Sequence, residues 1–69
     1  MKNIEIVNKA VIGEHILDFD YVNGKGERGR RHVQAEEVQA GNLLIAFDLN
    51  KNGYRRFLLN NMENLDIVE

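Results

Sequence analysis

The stretch HILDFDYVNGKGERGRRHV, His15–Val33, decides the fold. In HILDFDYV, Leu17, Phe19 and Tyr21 alternate with Asp18 and Asp20. That is the period-two pattern of a strand with one face on a core and the other in water. Asn23-Gly24 follows, ahead of a second β-prone run, and Asn-Gly in that setting is the strongest short signal for a hairpin. The return strand ERGRRHVQAEEV puts Arg31, Val33 and Ala35 on one face and Arg30, His32 and Gln34 on the other. Gly29 is expected at a bulge.

Upstream, NIEIVNKAVIG fits a helix better than a strand. Asn3 is placed to cap it, Glu5 favours its positive end, and Gly13 closes it. Ile4, Val7 and Val11 then share a face, whereas strand alternation breaks at Val7 and Val11. Downstream, AGN reads as a turn, and LLIAFDL, apolar on both faces, as the central and most buried strand. NKNG is a turn whose glycine suits positive φ, YRRFLL a fourth strand, NNMEN a single helical turn, and LDIVE a fifth strand with Leu65 and Ile67 inward. A helix followed by five short antiparallel strands covers little core as an open sheet, so a mostly-β, SH3-like or Sm-like barrel with an N-terminal helix is expected.

The chain has 69 residues, enough for one domain over 1–69. A domain this small buries only about 60% of its unfolded surface, so the core is thin and association into oligomers is a plausible supplement. There is no cysteine, serine or threonine, which removes the usual nucleophiles and any disulfide. His15 and His32 have no spaced third ligand, and no Gly-rich phosphate loop opens a helix. A non-enzymatic protein without metal or cofactor is expected. The N-terminus has acids and amides inside its apolar stretch, unlike a signal peptide, and no apolar run nears the ~20 residues that cross a bilayer. A cytoplasmic protein without membrane contact follows as the expectation. Net charge is −2, yet all five arginines lie between positions 28 and 56, and Lys25, Arg28, Arg30 and Arg31 face only Glu27 in KGERGRR. A local basic patch on an acidic body is therefore expected.

In order along the chain, Ala10, Tyr21, Gly26, Arg31 with Val33, Leu44 with IAFD, Arg56 with Phe57, and Leu65 resemble the WYL domain, a small Sm-like barrel of bacterial and phage-defence regulators. The pattern departs at Asn42 and Leu43, where the family has Trp-Tyr. It departs too at Ala35 for proline, Glu36 for histidine or an aromatic, Asn61 for a second arginine, and Met62 for isoleucine. The resemblance implies a sensor that holds nucleotides or nucleic-acid ends through arginines and passes the signal to an attached helix-turn-helix. Here the barrel uses all 69 residues, so a free-standing module is expected.

Arg56 is the leading candidate for contact with an anionic ligand. It adjoins Phe57 on a strand, so if the ring enters the core the guanidinium faces out, offering a rigid fork to phosphate oxygens. The bland reading is a solvated residue or one paired with Asp18, Asp20 or Asp48. Arg31 shares the face of Val33, so it lies at the rim, paired with Glu36 or Glu37 or touching the ligand. Arg55 assists. Tyr21 and His32 are candidates for stacking on a base, and Asn61 for a hydrogen bond in place of the lost arginine. Lys25, Arg28 and Arg30 are either the basic patch or a solvated hairpin edge. Two functions remain open: a regulatory module sensing a nucleotide or single-stranded nucleic-acid end, and a small interaction module of viral or mobile-element type that docks on a partner protein by strand addition.

Overall fold

The hairpin forms as its pattern requires. β1 (Ile16–Val22) pairs antiparallel with β2 (Arg28–Gln39), from Ile16 opposite Gln34 to Val22 opposite Arg28. The loop is longer than a two-residue Asn-Gly turn. Asn23 Oδ1 accepts from the backbone N–H of Lys25 and of Glu27, and Gly26 takes the positive φ of 80°. The register runs unbroken through Gly29, and the bulge falls instead between Ala35 and Glu37, where β2 bends to meet β3 (Leu43–Asp48). β4 (Gly53–Leu58) pairs with β3, and β5 (Met62–Val68) pairs with β1. The sheet order is β4-β3-β2-β1-β5.

The computed structural model describes residues 2–68. It is mostly β, five antiparallel strands with an N-terminal helix α1 (Asn3–Gly13) and a single 3₁₀ turn η1 (Leu59–Asn61) between β4 and β5. β2, not β3, is central. β3 lies next to the edge; Leu44, Ala46 and Asp48 on its inner face are buried, while Leu43, Ile45 and Phe47 on its outer face are only half-covered, as are His32 and Gln34 on the outer face of central β2. The turn expected over NNMEN is shorter and earlier, because Met62 turns its side chain into the core and starts β5. Glu69, the expected end of that strand, lies outside the described residues.

The helix ends differ from expectation for physical reasons. Lys2, without a side-chain cap, holds the N-cap position; Asn3 instead donates from Nδ2 to the carbonyls of Leu59 (2.9 Å) and Met62 (2.8 Å), tying the helix to the far end of the chain. Glu14 rather than Gly13 takes the left-handed turn (φ 55°), and the His15 ring lies over Gly13, where a Cβ would displace it. In the β3–β4 turn, Asn52 (φ 56°), not Gly53, takes positive φ. Asp48 Oδ1 gathers the N–H groups of Asn50 (3.0 Å) and Lys51 (3.1 Å) ahead of it.

One core joins these elements. Val7 and Ala10 of α1 close over Leu17, Phe19, Val33, Ala35, Leu44, Ala46, Phe57, Leu59 and Met62. The curl that makes the sheet barrel-like is visible at Tyr21. Its ring meets Phe57 edge-on at 5.1 Å, and its hydroxyl accepts a hydrogen bond from the Leu58 N–H at 3.1 Å. A side chain of β1 thus reaches β4, three strands away in the sheet, and fastens the barrel where no β4–β5 ladder exists. Tyr21→Phe keeps the ring and removes this acceptor. It should cost about 0.5–1.5 kcal/mol, the net worth of an ordinary hydrogen bond, read as a small drop in the urea midpoint.

Candidate anion-binding site

Alternation along β4 sets the site. Phe57 is 2% exposed, so its neighbour Arg56 faces outward, and so does Tyr54 two residues before it. Register with β3 places Arg56 opposite Ile45 and Tyr54 opposite Phe47. The Tyr54 ring, 69% exposed, stands edge-on against Phe47 with centroids 5.2 Å apart. Ile45, Tyr54, Arg55 and Arg56 line an open groove of about 600 Å³. Neither arginine has an ion pair or hydrogen-bond partner among the described residues, and neither meets Asp18, Asp20 or Asp48. Arg56 shares its face with the exposed ring of Tyr54, and Arg55, which leaves the strand on the Phe57 side, is exposed at the border of the same groove; uncommitted guanidinium groups so placed are suited to an anion that carries a flat face.

The cations of the hairpin are committed. Arg28 pairs with Glu63 and with Asp20 (3.8 Å), and Arg30 pairs with Asp20 (3.4 Å) and reaches the Asn64 carbonyl. Among the described residues of that segment, exposed Lys25 at the loop tip has no partner, and neither has Arg31 on the inner face. Asn64 Nδ2, donating at 2.9 Å, is the main influence holding the Asp20 carboxyl below its ordinary value of 3.8; Arg30 and then Arg28 add to it. A carboxyl depressed in the folded state contributes stability that is complete above the unfolded value and lost as pH falls through the folded one. Thermal stability should therefore decline on acidification below about pH 4, and Asp20→Asn should flatten that decline in a melt-versus-pH series.

The other sequence candidates stand apart from the groove. Arg31 shares the inner face with Val33 and Ala35, opposite Phe19, but makes no pair with Glu36 or Glu37. Those carboxylates are exposed beyond the bend of β2. Its Nε is buried without a partner, as is Oδ2 of Asp48 on the adjoining strand, leaving a donor and an acceptor open two registers apart. His32 Nδ1 contacts the Asp18 carboxylate on the outer face of β1–β2. Tyr21 is committed to the core and Leu58, and Asn61 ends η1. Tyr54 and Ile45 were not singled out from sequence. The inference that turned Arg56 outward also placed Tyr54 beside it, so that signal was present. No cluster of three His, Asp or Glu side chains able to hold a metal occurs among the described residues, and no helix among them is long and apolar enough to cross a membrane.

No family model matches the chain, and no curated protein does. Among solved structures, it is similar to proteasome accessory factor B/C (PafBC) of Arthrobacter aurescens, with a TM-score of 0.77 and 21% identity over 91% of this chain. The chain spans 10% of the length of that protein. The likeness is one of fold, and it supports the WYL-like fold that Tyr21, Arg31, Val33, Leu44, Arg56 and Phe57 suggest.

Proposed function

We propose that this is a non-enzymatic regulatory binding module of the cytoplasm. It holds a nucleotide or a single-stranded nucleic-acid end in the β3–β4 groove. The observation that carries this reading is that Arg55 and Arg56 stand free of carboxylates around the exposed ring of Tyr54, while Arg28 and Arg30 are neutralised within the hairpin network. Arg56 takes phosphate oxygens, and Arg55, exposed at the border of the same groove, is the better assistant than half-buried Arg31. Tyr54 offers a surface on which a base stacks. The fold shared with part of PafBC and the resemblance to WYL regulators favour sensing over catalysis, and the absence of serine, threonine and cysteine agrees.

Titration with a short fluorescent single-stranded oligonucleotide at low and moderate salt tests it. Phosphate contacts make log affinity fall linearly with log salt, with a slope near −0.7 per contact for single strands. Two to three contacts are expected from this site. No binding at low salt ends the proposal.

A further inference from the structure

β4 is an edge of the sheet, and its free side is legible from one hydrogen bond. The Leu58 N–H donates to Tyr21 Oη, so it points away from β3. In an antiparallel ladder the backbone groups of alternate residues point the same way. The N–H and C=O of Tyr54 and Arg56 therefore also point away from β3, and they have no partner among the described residues. β4 is in unbroken register with β3 from Gly53 to Leu58, without a bulge. Tyr21 blunts only its last position.

The opposite edge is guarded. β5 shifts register against β1 between Asp18 and Asp20, and Asn64 is left-handed (φ 54°). It carries Glu63 and Asp66, and α1 packs against it. Irregularity and charge of this kind discourage strand pairing. β4 has only charge, and of one sign: Arg55 and Arg56, both without a counter-ion among the described residues. Exposed Tyr54 and Leu58 flank them.

We propose that β4 receives an extended acidic segment of a partner protein as a sixth strand. Four backbone groups, those of Tyr54 and Arg56, hydrogen-bond to it. Two carboxylates oppose Arg55 and Arg56, and apolar residues lie beside Tyr54 and Leu58. About five residues of partner fit alongside β4, at ~3.3 Å each. Backbone pairing supplies affinity and the acidic pair supplies selection. This surface is the strand's backbone edge, so it does not depend on the groove binding a nucleotide.

The acetylated peptide Thr-Val-Val-Glu-Glu-Val-Val-Thr, which sets a valine beside Tyr54 and beside Leu58 in either strand direction, is the probe, followed by amide hydrogen exchange and amide chemical shifts. Protection of the Tyr54 and Arg56 amides should rise at least tenfold at saturation, with the β5 amides unchanged. A Lys-Lys version and a version N-methylated along one backbone edge should both lose binding. Arg55→Gln with Arg56→Gln should weaken the parent peptide at least tenfold while keeping the free protein's spectrum folded. Equal binding of the Lys-Lys peptide overturns the proposal, as does protection confined to β5 or tight self-association through β5 without peptide. An oligonucleotide titration on the same sample separates the outcomes: nucleic-acid binding without peptide protection leaves the groove reading standing and removes this one.

Discussion

Phe57→Ala leaves the protein unfolded, or nearly so, at room temperature. Phe57 is the only buried residue of β4, and its ring meets Phe19 at 5.2 Å and Tyr21 at 5.1 Å, both edge-on. Truncating a buried phenylalanine costs about 3–5 kcal/mol through lost transfer energy and the cavity left behind. A single core in a domain of this size supplies about 3–5 kcal/mol in total, so the substitution removes most or all of it. Far-ultraviolet circular dichroism against temperature and urea measures this. Phe57→Leu, which fills much of the space, should retain a cooperative transition at a lower midpoint. A Phe57→Ala melt within about 5 °C of the parent, worth about 1 kcal/mol at this size, would show that β4 is held by something other than this ring.

Loss of both arginines of β4 should lower oligonucleotide affinity about a hundredfold at low salt. A hydrogen bond to a charged group is worth about 1.5–3 kcal/mol, and about 1.4 kcal/mol is a factor of ten. Arg55→Ala and Arg56→Ala should thus each cost roughly tenfold or more. Each should also reduce the salt slope by about one. Both side chains are exposed, so neither change should disturb the fold. Lys25→Ala serves as the control, since it removes a free cation remote from the groove. An equal effect from Lys25→Ala would mean diffuse charge attraction and not a site.

The hairpin, the helix and the divergence of Arg56 from Phe57 were legible in the sequence because each is local. The spacing of Leu17, Phe19 and Tyr21 and the step from one β4 residue to the next need no knowledge of distant strands. The place of β3 was not legible. Its apolar outer residues read as burial on both faces, whereas Leu43, Ile45 and Phe47 are half-covered beside an edge. The fate of the hairpin cations was hidden only in part: Asp20 faces Arg30 within the hairpin, but Glu63 and Asn64 reach Arg28 and Arg30 only through β5 pairing on β1. At the turns, glycine was a poor guide. Glu14, Ala40 and Asn52 adopt left-handed backbone because neighbouring hydrogen bonds, such as those to Asp48, outweigh a small local strain.

The two bonds from Asn3 to the carbonyls of Leu59 and Met62 bear on how the chain folds as it leaves the ribosome. An 11-residue helix is marginal alone in water, and the surfaces that cover this one belong to β2 and β5. The helix therefore waits, unstructured, for β5. Nascent chains arrested before Met62 has emerged should remain protease-sensitive from end to end, and release of the final strand should convert the whole domain in one step.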